Sequence, residues 1–289
     1  MKRRGAKACK EAKTALCFLA PSLGGIAAMS LLPTIDVVRR SFFCAMGDRF
    51  TGLDNFVAVL TNGPFLLALK NTGRFVLVCI PLLLTLSLLA SALLLRQRWC
   101  ASLLKTTYLL PMAAPVASAA LIIQTIFAKN GLLSALCALF GKAPTDWLNS
   151  EYAFMVLTLC YLWKNLGYHV VLWMAGLSAI PASLYEAARI DGANEWQCFM
   201  YVTLPQLRPT LFMAAVLALV NSFKVFREAY LVAGRYPHTS IYMLGHVLSN
   251  WFANLDMQKI SAAAVLLLGM ILLVVFCLAR LSAEKGETL

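Results

Sequence analysis

The sequence alternates between long apolar segments and shorter stretches that hold most of the charged residues. Six apolar segments approach the roughly 20 residues that an α-helix needs to cross the hydrocarbon core of a bilayer. The six predicted spans cover residues 15–38, 75–95, 108–127, 153–177, 210–231 and 262–281. Neither a Ser/Gly-rich linker nor an internal repeat separates them. The pattern therefore predicts an all-α, multi-pass chain with one transmembrane domain over residues 1–289.

The composition supports a membrane protein. Of the 289 residues, 61% are hydrophobic and 13% are charged, whereas a soluble domain carries about 25% charged residues. The formal net charge of +12 would suggest nucleic acid as the partner of a soluble protein. Here no polar stretch is long enough to form such a binding face, and cytoplasmic loops of membrane proteins are rich in Lys and Arg. We therefore expect membrane lipid, and no nucleic acid, as a partner.

The basic N-terminal tail, residues 1–13, sets the predicted orientation. The apolar segment after it is longer than the 7–15 residues of a signal peptide and has no clear cleavage site, so we interpret it as a retained anchor. The tail places the N-terminus in the cytoplasm, and six spans return the C-terminus to the same side. Cytoplasmic segments then hold more Lys and Arg than the opposite side, although Arg39 and Arg40 oppose this bias.

The sequence predicts no catalytic or metal site. Its nine cysteines contain no C-x-x-C pair, and its three histidines have no metal-ligand spacing. A P-loop, G-x-x-x-x-G-K-[ST], is also missing from the sequence. We therefore expect a non-enzymatic chain that binds no cofactor or metal itself.

One polar segment, residues 184–209, interrupts the apolar pattern. Ser183-x-x-Glu186 matches a capping box, so it predicts the start of a helix, and Gly192 fits the position after its end, where a positive φ costs least. Asn194-x-x-Gln197 can cap a second helix. The pattern predicts two short helices bent at residues 191–193. An ordinary connection with well-capped helices is the alternative interpretation.

Ionisable and polar residues inside the predicted spans are candidates for a substrate path, because such groups are costly there. The candidates are Lys164 and Tyr168 in the fourth span and Asn221, Lys224 and Glu228 in the fifth. Lys224 and Glu228 are four residues apart and could form an ion pair. Polar packing between helices and charges that reach the membrane surface are the alternatives to a pore lining.

Two external connections have features of a membrane interface. After GLDNF, residues 52–56, the apolar positions Phe56, Leu60, Phe65, Leu66 and Leu69 predict short interfacial helices. Trp147, in the third loop, is a predicted interface anchor.

The polar segment also resembles the EAA loop found in permease subunits of binding-protein-dependent ABC importers. The matching residues are Glu186, Ala187, Ala188, Asp191, Gly192, Ala193, Phe199, Leu204, Pro205 and Pro209. Further motifs match in order along nearly the whole chain: GLDNF, GPFLLALKNT, PMAAPVASA, DWLNS, WKNLGY and AGLSAIP. This ordered set is similar to the sugar-permease branch, which includes maltose and glycerol-phosphate permeases.

The resemblance implies a type I, six-helix permease with a MetI-like core and a cytoplasmic EAA coupling loop at residues 184–209. It implies a second permease subunit, expected to form a heterodimer with this chain in the inner (cytoplasmic) membrane of a bacterium. It also implies an ABC ATPase dimer that holds ATP and Mg, and an extracytoplasmic solute-binding protein that delivers a carbohydrate. Glu186 is then expected to contact or orient the ATPase, and Gly192 to permit the bend. GRYPHTS, residues 234–240, departs from the Gly-Gly-Pro run of many relatives.

Two alternatives stay open at this point. The solute could be glycerol phosphate or another non-sugar molecule, since the sequence does not identify it. A stand-alone secondary transporter would need an internal repeat and interrupted helices near the midplane of the membrane, and no such repeat is visible.

Overall fold

A computed structural model describes residues 18–44, 49–96, 110–141, 143 and 145–283. Within them, five helices are long and apolar enough to cross a membrane, and a sixth is counted when Ala153–Ser178 and Ala182–Ile190, bent by 63°, are taken together. The all-α prediction is therefore confirmed. The predicted tail, residues 1–13, and the first residues of the predicted first and third spans lie outside the described residues. The helices are α1 (Phe18–Ser41, with a π-helical turn at Ala27–Leu31), α2 (Asp54–Leu60), α3 (Gly63–Arg96), α4 (Val116–Phe127), α5 (Leu132–Leu139), α6 (Ala153–Ser178), α7 (Ala182–Ile190), α8 (Glu195–Cys198), α9 (Arg208–Lys224), α10 (Phe226–Ala233), α11 (Leu244–Ala253) and α12 (Met257–Ala283).

The chain divides into two compact units. One comprises residues 1–62 and 251–271, and the other comprises residues 63–250 and 272–289. In the smaller unit, the amide of Asn55 on α2 donates to the carbonyls of Ser41 and Phe43, both at 2.9 Å. Phe42 packs against Phe50 and Phe56. These contacts fix the chain that follows α1.

The larger unit has its core between α3 and α6. Phe75, Cys79 and Leu83 lie four residues apart on α3 and are buried against Leu157 and Tyr161 of α6. This spacing places them on one face of the helix. Three buried hydrogen bonds add polar links: Trp173 Nε1 donates to Ser87 Oγ at 3.0 Å, Tyr161 donates to the carbonyl of Ala218 at 2.7 Å, and His169 Nε2 lies 3.2 Å from the carbonyl of Ala214.

The second span begins twelve residues before the predicted position, at Gly63 instead of residue 75. Phe65, Ala68 and Phe75 are all buried along one continuous helix. Only α2 forms a separate short helix, so the prediction of interfacial helices was wrong for Phe65, Leu66 and Leu69. The helix continues through the polar residues Lys70, Asn71 and Thr72. The predicted span began after these residues because it was based on hydropathy alone.

The third span was predicted as one helix over residues 108–127, but the chain breaks at Ala114–Pro115 and α4 begins at Val116. Proline has no N–H to donate and disfavours helical geometry in the residue before it. The segment that is long and apolar enough to cross a membrane runs instead from Val116 to Leu139. It includes a second break, between α4 and α5.

The fifth span is interrupted at Val225, and its two parts are attached to different neighbours. Helix α9 is bound to α6 through the carbonyls of Ala214 and Ala218. Helix α10 is bound to α4, because Gln124 Nε2 donates to the carbonyls of Leu231 and Val232 at 3.3 and 3.2 Å. Phe226, the first residue of α10, packs closely against Gly245. A Cβ on residue 245 would lie 2.2 Å from the ring of Phe226.

Candidate functional site

The polar segment forms two short helices joined by a sharp bend, as predicted. Helix α7 ends at Ile190, with Asp191 as its C-cap. The next two N–H groups return to the helix: Gly192 donates to the Arg189 carbonyl at 3.1 Å and Ala193 to the Ala188 carbonyl at 2.9 Å. This pair of bonds is a Schellman motif. Gly192 has φ +81°, a conformation that glycine adopts without a Cβ penalty.

The second helix begins with the predicted capping box. Asn194 Oδ1 accepts from the Gln197 N–H at 2.9 Å, and Gln197 Oε1 accepts from the Asn194 N–H at 2.8 Å. These two bonds satisfy two N–H groups that the helix itself leaves unpaired. The predicted capping box at Ser183 and Glu186 was wrong. Pro181 is the N-cap residue, without a side-chain cap bond. Its fixed φ suits the entry to a helix, and α7 begins at Ala182, two residues before the predicted start, so Ser183 lies inside the helix.

The two helices are also linked through side chains. The hydroxyl of Tyr185 lies 2.9 Å from Thr203 Oγ1, and Arg189 forms an exposed ion pair with Glu195 at 2.9 Å. Residues Phe199–Thr203 form a π-helical turn, which leads into Leu204–Gln206. A wider turn fits here because Pro205 cannot donate to the preceding turn.

The resulting surface is amphipathic. Ile190, Trp196 and Tyr201 expose 86%, 68% and 79% of their area. Of the residues predicted to couple to an ATPase, Glu186, Ala187, Asp191 and Gly192 are exposed, and Ala188, Ala193, Phe199, Leu204 and Pro205 are half-buried. Phe199 stacks on Trp196 with 5.8 Å between ring centroids.

A second candidate site is a cavity of about 270 Å³ in the larger unit. Four of the five predicted substrate-path residues line it: Lys164, Asn221, Lys224 and Glu228. The fifth, Tyr168, does not line the cavity and packs edge-on against His169. The other lining residues are Met112, Ala114, Pro115, Val116, Cys160, Tyr161, Asn165, Val225 and Arg227.

The predicted ion pair between Lys224 and Glu228 was wrong. Glu228 instead pairs with Lys164 of α6 at 2.5 Å, while Lys224 donates to Asn221 Oδ1 at 3.2 Å. The break at Val225 separates Lys224 and Glu228 into two helices, so the i,i+4 geometry of one helix does not apply. Glu228 is buried at 5% exposure and faces α6, whereas Lys224 is exposed.

The cavity includes a feature that the sequence prediction missed. The break at Ala114–Pro115 lies in its wall together with the break at Val225. Pro111 and Pro115, four residues apart in the predicted third span, were the available signal. Within the described residues, no group of three or more His, Cys, Asp and Glu side chains could hold a metal ion. The lining of the cavity includes amide side chains and charged side chains, which can form hydrogen bonds and ionic contacts with a polar solute.

Comparison with known proteins agrees with this architecture. The chain is 30% identical to the osmoprotective compounds uptake permease protein GgtC of Synechocystis, over 87% of this chain and 92% of that protein. It is also 30% identical to the arabinooligosaccharides transport system permease protein AraP of Bacillus subtilis, over 93% and 89%.

The fold is that of a solved importer. A chain in the crystal structure of a bacterial ABC transporter involved in the import of the acidic polysaccharide alginate superposes with a TM-score of 0.79 at 20% identity, over 97% of this chain and 99% of that one. The family described as "Binding-protein-dependent transport system inner membrane component" matches residues 83–285. The chain therefore belongs to this family of membrane permeases, which are non-catalytic components of ABC importers.

Proposed function

We propose that the chain imports a sugar or related carbohydrate, as half of a pore formed with a second, different permease subunit. A cytoplasmic ABC ATPase dimer holds ATP and Mg, and an extracytoplasmic binding protein delivers the solute. Family membership supports the importer. The carbohydrate is supported by the arabinooligosaccharides transported by the relative in Bacillus subtilis.

The geometry of the polar segment carries the coupling part of the proposal. Its Schellman motif and capping box hold a bent pair of helices, and neither motif depends on a partner. The segment presents Glu186 together with exposed Ile190 and Trp196. A preorganised surface with aromatic anchors is suited to docking, because little ordering entropy is lost on binding. We assign this surface to the ATPase and both chain termini to the same, cytoplasmic side.

The test is uptake of radiolabelled oligosaccharides by cells that contain the complete importer, with and without its ATPase subunit. Uptake should require the ATPase and should fail when its P-loop Lys is replaced. Uptake that persists without the ATPase would contradict the proposal and favour a secondary transporter. Cysteine cross-linking from Trp196→Cys, with Trp147→Cys as the control, should capture the ATPase only from the polar segment.

A further inference from the structure

The cavity beside Val225 contains more positive than negative charge. Three cationic side chains, Lys164, Lys224 and Arg227, line it together with one carboxylate, Glu228. Lys164 is neutralised by its ion pair with Glu228. Across the described part of the chain, no carboxylate forms an ion pair with Lys224 or Arg227. Two positive charges that line the cavity are therefore left without a counter-charge among the described residues.

These two cations lie within the apolar span Arg208–Ala233. Charged groups inside a membrane face a protein interior or a water-filled path and mark the route of a solute or ion. Lys224 and Arg227 are both exposed, whereas their neighbour Glu228 is buried. The cations are therefore available to a solute in the cavity, while Glu228 and Lys164 form part of its wall.

A helix N-terminus adds positive potential at the same cavity. Pro115 is the N-cap of α4 and makes no side-chain cap bond, and Pro115 and Val116 both line the cavity. The first N–H groups of a helix lack partners within it and carry partial positive charge. Interrupted helices in transporters place such ends against anionic groups of a substrate.

Glu228 supplies a separate indication of a ligand. Its Oε1 is bound to Lys164, but its buried Oε2 has no hydrogen-bond partner among the described residues. A buried carboxylate oxygen without a donor is costly, so this atom calls for a hydroxyl or water in the cavity. A saccharide provides such hydroxyls close to any charged substituent on its ring.

We infer that the cavity binds an anionic saccharide, with its carboxylate or other oxyanion at Lys224 and Arg227 and a hydroxyl donated to Glu228 Oε2. The inference rests on the proposed carbohydrate transport and specifies the substrate class. A neutral sugar would leave both cations uncompensated. In a membrane-embedded cavity the attraction between opposite charges is stronger than in water, so an anionic substituent gains most from this site.

The experiment uses the complete importer in proteoliposomes with its binding protein. Uptake is measured for digalacturonate and for its neutral counterpart, a galactose disaccharide, within a wider panel of uronate, sulfonate and neutral disaccharides. We expect uptake of acidic saccharides, with a loss of at least tenfold at low concentration in Lys224→Gln and in Arg227→Gln. Lys224→Arg should retain most uptake, because it keeps the charge. The control is Lys129→Gln, which removes an exposed cation outside the cavity.

The possible results separate the two proposals. ATP-driven uptake of neutral saccharides alone would overturn the inference and leave the proposed function intact. Uptake of an acidic saccharide that is unchanged in both Gln variants would also overturn it. No ATP-driven uptake of any saccharide by the wild type would contradict the proposed function itself. Protein level and basal ATP hydrolysis show whether each variant is assembled, and Lys224→Arg gives a result even if Lys224→Gln fails to assemble.

Discussion

The phenol of Tyr185 on α7 lies 2.9 Å from the hydroxyl of Thr203, eighteen residues later in the π-helical turn after α8. This bond links α7 to the π-helical turn after α8, so it connects the two sides of the bend at Gly192. Tyr185→Phe removes the bond at a cost of about 1 kcal/mol. We expect a lower melting temperature and weaker stimulation of ATP hydrolysis by the loaded binding protein. Tyr201→Phe, whose side chain is 79% exposed, is the matched control, and equal behaviour of the two variants would disprove the role of the bond.

Gly192 carries the bend itself. At φ +81°, an alanine would cost about 1–2 kcal/mol in a left-handed conformation. Gly192→Ala should therefore reduce uptake, and Gly192→Pro, which cannot adopt this φ, should abolish it with membrane insertion intact. Gly73→Ala is the comparison, because Gly73 lies inside α3 with open space around it and the change should be neutral or stabilising there. Full uptake by Gly192→Pro would exclude the bend from coupling.

Glu186 tests the docking surface without altering its backbone. The side chain is exposed on α7, so Glu186→Lys should leave insertion and folding unchanged while it reverses the charge toward the ATPase. We expect loss of uptake and of ATPase co-purification, because a rim charge of the wrong sign opposes binding. The control Glu151→Lys makes the same change at an exposed residue outside the polar segment. Normal uptake by Glu186→Lys would refute the assignment.

Removal of one partner of the Lys164–Glu228 ion pair should destabilise the cavity wall more than removal of both. Lys164→Met leaves the buried Glu228 carboxylate without its partner and should cost about 3 kcal/mol. The double variant with Glu228→Met should recover much of that loss, because it removes the unpaired charge. Thermal unfolding in detergent measures both. A double variant no more stable than Lys164→Met would show that the charge pair is not the cause.

Because of His246, we expect the free energy of unfolding to depend on pH. His246 is fully buried at the start of α11, and burial lowers the pKa of its imidazole from 6.5 to about 4. Its Nδ1 accepts a hydrogen bond from the Met243 N–H. The unfolded chain then binds a proton between these pH values and the folded chain does not. The free energy of unfolding should therefore be constant above pH 6.5 and fall by up to about 3 kcal/mol toward pH 4.

His246→Asn isolates this effect, because its side-chain oxygen can still accept from Met243 but does not titrate. The variant should be less stable than the wild type at pH 7.5 and should lose less stability on acidification. Melting temperatures at pH 7.5, 6.0 and 5.0 measure the difference. Parallel pH curves for the two proteins would show that His246 does not titrate as expected.

The features predicted correctly are those set by neighbouring residues. The capping box at Asn194 and Gln197 and the bend at Gly192 involve only residues within five positions, so the sequence contains every partner. The capping box at Ser183 failed because the conformation of Pro181 had already started the helix. The partner of Glu228 could not be predicted, because Lys164 lies 64 residues away and only helix packing brings the two together. The early start of α3 is a similar case, since burial of Phe65 and Ala68 depends on tertiary contacts.

The break at Val225 divides the fifth span into two helices, and each is hydrogen-bonded to a different neighbour. Helix α9 is bound to α6 through Ala214 and Ala218, and α10 is bound to α4 through Leu231 and Val232. Lys224 and Arg227 lie on either side of this break. A displacement of α4 relative to α6 therefore changes the distance between these two charges, so the same movement of the helices also changes the affinity of the cavity for a solute.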